Sequence, residues 1–320
     1  MAELFPLAGK RVLVAGHTGM AGTSIVRRLA RESCEVLTIS YPDLDMIRQK
    51  ETEDWLADVR PDALFVAAAK VGGIYANSIR PAEFIYENLA IEINLIHAAK
   101  TVGVKKLLFL GSSCIYPREA EQPMKEEALL TGPLEPTNDA YAIAKIAGIK
   151  MCQAYRVQYG CDFISAMPTN LFGPGDRYDA QNGHVAAATI MKVHAAKTNG
   201  DKSIVIWGTG TPRREFLYTE DLADGLVFMM KNYSGSTHLN LGTGRDIMIR
   251  ELAEAVAKVA GWSGAFEYDT SKPDGMMRKV MDVSRLSKLG WTAKTGLEEG
   301  LKAAYAWYAA NSNRPPAATR

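Results

Sequence analysis

A phenol and an ammonium stand four residues apart in Tyr141-Ala142-Ile143-Ala144-Lys145, a spacing that puts both on one face of a helix, one turn from each other. A tyrosine ordinarily titrates at about pH 10. A neighbouring cation lowers that value, so the pair can exchange a proton with a carbonyl oxygen near neutrality. Ser112, in Gly111-Ser112-Ser113-Cys114, follows an apolar run and can hold the same oxygen. Near the N-terminus, Gly16-His17-Thr18-Gly19-Met20-Ala21-Gly22 has the form G-x-x-G-x-x-G. Glycine lets such a turn close and brings backbone up to a pyrophosphate, whose charge is met by the free N–H groups and dipole of a helix N-terminus. Singly, each feature is commonplace: Y-x-x-x-K arises by chance, and a glycine turn often only joins a strand to a helix. Their order along the chain gives them weight.

These residues need a scaffold, and the apolar pattern supplies one. Apolar runs at 12–15, 35–39, 63–69, 107–110 and 163–167 alternate with stretches of helical spacing, the first carrying Ile25, Val26, Leu29 and Ala30. Strands alternating with helices pair in parallel through right-handed crossovers, and nearly continuous apolar runs belong to strands covered on both faces. The predicted fold is α/β, a doubly wound parallel sheet of Rossmann type with a smaller C-terminal substrate-binding domain. Ser112 then lies at the carboxyl end of the fourth strand, where such sheets bind ligands. A polar, glycine-rich stretch over 173–183 interrupts the alternation. A helix at 185–197, a strand at 203–207 and amphipathic helices at 249–260 and 297–308 are assigned to the smaller domain, while 217–230 reads as a return to the sheet. The expected boundaries are 1–175 and 213–243 for the dinucleotide-binding domain and 176–212 and 244–310 for the substrate-binding domain, with a fraying tail at 311–320.

Composition excludes several functions. Of 320 residues, 47% are apolar and 23% charged, the proportions of a soluble globular chain. Lys and Arg number 37 against 36 Asp and Glu, and a net charge of +1 is too small to hold nucleic acid by counterion release. No run approaches the roughly 20 apolar residues of a membrane helix and no secretory signal is visible, so no membrane partner and a cytoplasmic setting are expected. Cys34, Cys114, Cys152 and Cys161 fit neither a disulfide framework nor a metal-ligand spacing and read as free thiols, with no metal site. The end of the second strand, Thr38-Ile39-Ser40-Tyr41-Pro42-Asp43, places neither an acid for the ribose of NAD nor an arginine for the phosphate of NADP. The residues alone therefore leave NADP(H) and NAD(H) both open.

A glycine turn, a strand-end serine and then Tyr and Lys, in this order, resemble the short-chain dehydrogenase/reductase group, and the length with a C-terminal cap resembles its extended branch, which acts on nucleotide sugars. Within that branch, Ala67-Ala68-Ala69-Lys70-Val71-Gly72-Gly73, Gly111-Ser112-Ser113-Cys114-Ile115-Tyr116-Pro117, Glu135-Pro136-Thr137-Asn138 and Met167-Pro168-Thr169-Asn170-Leu171 resemble the GDP-L-fucose synthase family. So do Trp207-Gly208, Arg214-Glu215-Phe216 and Lys272-Pro273-Asp274-Gly275. The resemblance runs over about residues 10–308. It implies epimerisation of GDP-4-keto-6-deoxy-D-mannose at C3 and C5, reduction at C4 by NADPH, and a homodimer. Both epimerised carbons flank the C4 ketone, so one oxyanion site serves every step.

By the same resemblance, Ser112, Tyr141 and Lys145 serve the hydride step, Cys114 is the epimerisation base and His184 the acid. The related dehydratases carry a glutamate where Cys114 stands, and its absence argues against dehydration. Cofactor contacts are implied for Gly16, Thr18, Gly19, Met20, Gly22 and Tyr41 in the first two strand-ends. Further along they fall on Leu110, Gly111, Ser113, Lys145, Pro168, Asn170, Leu171 and His184. Lys192, Trp207, Arg214, Asp274 and Lys279 are assigned to the GDP-sugar, with Arg214 forking onto diphosphate and Asp274 accepting from the guanine N–H edge. Family members often carry arginines near positions 18 and 41, where this chain has Thr18 and Tyr41, and arginine is common where it has Lys192. The plainer readings are a buried core for Cys34, Cys152 and Cys161, and turn shaping for His17. The rival reading is an epimerase or reductase acting on another nucleotide 4-keto sugar such as a GDP-6-deoxyheptose.

Overall fold

All five apolar runs become parallel strands, and the first four are followed by helices while the fifth runs on into a further strand. The computed structural model describes residues 3–179, 183–272 and 274–312. Residues 180–182 of the polar stretch, Pro273 and residues 313–320 of the expected tail lie outside the described residues. In chain order the first half contains β1 (Arg11–Ala15), α1 (Met20–Leu29), β2 (Glu35–Leu37), α2 (Gln49–Val59), β3 (Ala63–Val66), α3 (Ile74–Ile79), α4 (Pro81–Thr101), β4 (Lys106–Leu110) and α5 (Asp139–Tyr159). There follow β5 (Asp162–Pro168), β6 (Asn170–Phe172), α6 (Val185–Asn199), β7 (Ser203–Trp207), β8 (Arg213–Tyr218), α7 (Thr219–Asn232), β9 (Leu239–Leu241) and β10 (Asp246–Met248). The last elements are α8 (Ile249–Ala260), β11 (Ala265–Asp269), β12 (Arg278–Lys279), α9 (Ser284–Lys288) and α10 (Leu297–Asn311).

The main sheet has the order β2-β1-β3-β4-β5-β9, with every pairing parallel. Alternate side chains divide between its faces, so each strand is buried twice. Val12, Val14 and Phe65 pack with Ile25 and Leu29 of α1 and Leu222 and Leu226 of α7. Leu13, Leu64 and Val66 pack on the other face with Leu95 of α4 and Ile149 of α5. The order reverses direction between β1 and β3, and the crevice beyond their carboxyl ends is where an open sheet of this kind takes its ligand. The second and third strands are shorter than the runs at 35–39 and 63–69, ending at Leu37 and Val66. Past Val66 the chain leaves the ladder. The Lys70 backbone is held instead by the Asn88 side chain of α4, whose Oδ1 accepts from Lys70 N at 3.0 Å.

The sixth strand, β9, was not read as a separate strand. Three residues of Leu-Asn-Leu are too short to show a period, and pairing with β5 completes them. A second sheet also escaped the sequence reading. There β8 pairs with β10, β12 and β6, joining the segments that flank the cleft. A separate core of Ile190, Val193, Ile204, Ile206, Leu252, Val256 and Leu301 lies beneath α6, α8 and α10. Among the described residues, no helix is long and apolar enough to cross a membrane.

Candidate active site

The glycine turn between β1 and α1 is a cradle that side chains would fill. Gly16 has φ +85°, and a Cβ there would lie 2.5 Å from Ala68 N, at the end of β3. A Cβ on Gly22 would collide with the Gly16 carbonyl oxygen. Gly19 caps α1 in extended conformation without a side-chain cap, which leaves the first-turn N–H groups facing outward for an anion. His17 reaches the end of β2, its Nε2 3.4 Å from Ser40 Oγ, while its Nδ1 is buried without a hydrogen-bond partner. Tyr41 stands exposed beside it. Across the crevice Leu110 and Gly111 end β4, with Gly111 N donating to Ala166 O at 2.9 Å. Ser113 is buried behind them, Pro168 closes β5, Leu171 packs into the core, and Asn170 Nδ2 donates to Glu215 O at 2.8 Å. Glycine cradle, orphaned imidazole nitrogen and open helix terminus together fit a dinucleotide.

The strand-end serine and the helical Tyr-Lys pair meet at the same crevice. Ser112 is extended and begins the tight turn Ser113–Ile115. That turn is fixed from below by Tyr116, whose hydroxyl donates to Asn240 Oδ1 and lies 3.1 Å from His238 Nε2. Ser112 interacts with both the Tyr141 phenol and the Cys114 thiol, drawing each pKa downward. Phe84 meets the Tyr141 ring edge-on at 6.2 Å. One turn along α5, Lys145 lies beneath the Tyr141 ring, and its Nζ is 2.8 Å from Glu92 Oε1 of α4.

One expectation needs correction. Lys145 was expected to lower the Tyr141 pKa. Burial, with the neighbouring Cys114 and Glu92, instead holds the phenol well above its ordinary value. The carboxylate of Glu92 meets the ammonium directly and offsets its charge at the phenol. Burial also raises the Cys114 thiol, opposed by the charges of Lys279 and Lys145. His184, at the N-cap of α6, keeps an exposed edge, while the protein packed around the rest of it, and then Lys279, push it toward its neutral form. Lys279 thus acts electrostatically on both the thiol and the imidazole.

The residues expected at the GDP-sugar fall in two groups. Lys192 Nζ donates to Val205 O at 2.9 Å and sits 5.6 Å from the centre of the Trp207 ring, which is 48% exposed. Lys272 approaches the same ring at 5.7 Å. In the other group Arg214 and Lys279 are paired in register on β8 and β12. Burial lowers both, and the Asp274 and Glu135 carboxylates favour the charged guanidinium. Asp274 is already engaged: its Oδ1 accepts from Thr209 N at 2.7 Å and its Oδ2 from Thr209 Oγ1 at 2.8 Å. Only its remaining lone pairs can meet a base.

The sequence pattern singles out neither Glu92 nor any role for Glu135, Glu215 and Lys272, which stand within the family-like segments. Glu92 had a signal: it is a lone carboxylate in the apolar run Leu89-Ala90-Ile91-Glu92-Ile93, and such a residue is buried only with a partner. Among the described residues, no group of three or more His, Cys, Asp or Glu side chains is placed to hold a metal ion.

Known proteins share the sequence and the fold. Residues 12–242 match the NAD dependent epimerase/dehydratase family. A GDP-L-fucose synthase of Sinorhizobium fredii is 55% identical over 96% of this chain and 98% of its own length. Among solved structures, a GDP-6-OMe-4-keto-L-xylo-heptose reductase from C. jejuni is 35% identical with a TM-score of 0.90, covering 95% of this chain and 98% of that one. A GDP-L-fucose synthetase from Naegleria fowleri bound to NADP is 27% identical with a TM-score of 0.90, covering 98% of both chains. The chain belongs to the NAD dependent epimerase/dehydratase family and, within it, to the GDP-L-fucose synthases.

Proposed function

We propose that this chain converts GDP-4-keto-6-deoxy-D-mannose to GDP-L-fucose by inverting C3 and C5 and then reducing C4 with NADPH. The carrying observation is that Ser112 faces both the Tyr141 phenol and the Cys114 thiol. A ketone oxygen held there has two hydroxyl donors on it and a sulfur base beside its α-carbons. NADPH, when bound, supplies the hydride.

Ser112 and Tyr141 donate to the C4 oxygen, and their hydrogen bonds strengthen as enolate charge collects on it. Cys114, as thiolate, removes the α-proton; the cationic Lys279 and Lys145 favour that thiolate against burial. His184 returns a proton from the opposite face, and a sugar diphosphate brought into the pocket favours its charged form. In the reduction Tyr141 gives its proton to the C4 alkoxide, a task for which a phenol kept protonated is suited. Gly16, Gly19 and Gly22 hold the cofactor's pyrophosphate, with Thr18, Met20 and Tyr41 around its adenosine half. Lys192 and Trp207 take the guanosine half of the substrate, and Arg214 and Lys279 its diphosphate. In this reading the dinucleotide half comprises 1–175 and 213–243 and the substrate half 176–212 and 244–310.

The chain acts as a homodimer joined through α4 and α5. Exposed Tyr86 and Ile93, seven apart on α4, and exposed Ile143 and Val157 on the adjacent α5 support that reading. Four free cysteines support a reducing, cytoplasmic setting. The test is product identification by NMR after incubating the purified enzyme with GDP-4-keto-6-deoxymannose and NADPH or NADH in deuterated water. GDP-L-fucose deuterated at C3 and C5 is expected. A C4-reduced product without deuterium would favour the second reading, a reductase of another GDP-4-keto sugar, to which the heptose-reductase likeness points.

A further inference from the structure

The resemblance accounts for Tyr141 and Lys145 but gives no role to the carboxylate against them. Glu92 is 1% exposed and Lys145 2%, and their charged atoms are 2.8 Å apart. Both carboxyl oxygens of Glu92 are buried and neither meets hydrogen-bond geometry among the described residues, so Oε1 is held by the Lys145 ion pair alone and Oε2 by nothing. A buried carboxyl so sparsely satisfied is a costly feature to keep. The fold makes room for it as well. Gly148, on α5 one turn beyond Lys145, has no side chain, and a Cβ there would lie 2.8 Å from Glu92 Oε2 and collide with the Phe109 ring. The Lys145 ammonium rests 4.8 Å from the centre of that ring, so Phe109 and Glu92 together confine it.

We propose that Glu92 is a positioning residue for the reduction: it holds the Lys145 ammonium in place and offsets that charge at Tyr141, so that Tyr141 stays a proton donor. The proposal deepens the function given above and rests on Tyr141 being the acid of the C4 reduction. The groups facing the pair are consistent with it. Tyr141 and Cys152 come from α5, and Cys114 and Ser112 from the turn after β4. Burial raises the Glu92 pKa, and the Lys145 ammonium, in direct contact, is the group that favours the carboxylate against it. With Glu92 uncharged, the nearby ammonium would act on the phenol unopposed and the phenol would ionise at lower pH.

The test uses full-length enzyme carrying Glu92→Gln, which keeps an acceptor for Lys145 but no charge, and Glu92→Leu, which keeps neither. Tyrosinate absorbance is followed against pH, with a Tyr141→Phe partner of each protein subtracted to isolate the one phenol. In Glu92→Gln that phenol should ionise about one pH unit or more below its wild-type value. The alkaline limb of kcat for NADPH-dependent reduction should move down with it, while KM for the GDP-sugar stays within about twofold. Glu92→Leu should lose about tenfold or more in kcat, and Glu92→Gln should recover most of that loss at acid pH. An unshifted phenol titration in Glu92→Gln overturns the proposal, even if Glu92→Leu fails to fold. A shifted titration in an enzyme that does not turn over the GDP-keto-sugar leaves Glu92 its role and overturns the substrate assignment instead.

Discussion

Glu215 joins the strand bearing Arg214 to the two segments on either side of it, and replacing it by glutamine tests how rigidly that junction is held. The carboxylate is 0% exposed. Its Oε1 accepts from Thr243 N at 2.6 Å and Gly244 N at 2.8 Å, and its Oε2 accepts from Met281 N at 2.8 Å. In Glu215→Gln the amide oxygen can keep the first two donors, but its NH₂ then faces the Met281 N–H, donor against donor. A lost charge-assisted hydrogen bond costs about 1.5–3 kcal/mol, and the orphaned donor adds about 1–3 kcal/mol. Burial already penalises the carboxylate and raises its pKa, so the net loss falls toward the low end, about 3 kcal/mol. Unfolding entropy of roughly 2.1 cal/mol/K per residue over 320 residues gives about 1.5 °C per kcal/mol, hence a fall of about 4–5 °C in the thermal midpoint. Met281 lies two residues past Lys279, so the variant should also raise KM for the GDP-sugar by about fivefold, roughly 1 kcal/mol, with little change in kcat. Calorimetry at pH 7 with initial rates on the same preparation would show both effects. A midpoint within about 1 °C of wild type with an unchanged KM would mean that the three N–H groups do not depend on this carboxylate.

Three further outcomes follow from particular atoms. Gly16→Ala and Gly22→Ala should each weaken NADPH binding by tenfold or more (about 1.4 kcal/mol), because the added methyl meets backbone; fluorescence titration checks this, and binding within about twofold would show that the turn gives way. Cys114→Ser should abolish solvent deuterium incorporation at C3 and C5 while leaving NADPH binding intact, and wild-type exchange by NMR would remove the thiol from the mechanism. Asp176 has its pKa raised to about 7 by burial, from 3.8. A carboxyl raised in the folded state holds a proton the unfolded chain has lost, so it costs stability as pH rises from about 4 to 7 and none below that window. Asp176→Asn should therefore melt a few degrees above wild type at pH 8 and level with it near pH 4, and equal midpoints at pH 8 would refute the assignment.

How much of this was legible in the chain depends on the distance over which the deciding interactions act. Strand, glycine turn and helix at 11–29 follow from local rules, since the apolar period and the glycine positions are set within a few residues of one another. Tyr141 and Lys145 share a helix face because of a four-residue spacing, and Ser112 sits at a strand end because Leu107-Leu108-Phe109-Leu110 must be buried. Family likeness then supplied names for positions such as Cys114 and His184 whose types alone would read as core and loop. The short strands of the second sheet showed no pattern, because β10 and β12 gain their hydrogen bonds only by pairing with β8 across long stretches of chain.

Protonation was the least legible property. The sequence determined which groups with acid, base and hydrogen-bonding chemistry exist and the order in which the elements present them. Packing in three dimensions brought Glu92, 53 positions before Lys145, against its ammonium, and burial, with Cys114 and Glu92 close by, keeps the proton on Tyr141. A pKa is set by everything within a few ångströms in space, and most of those neighbours are remote along the chain.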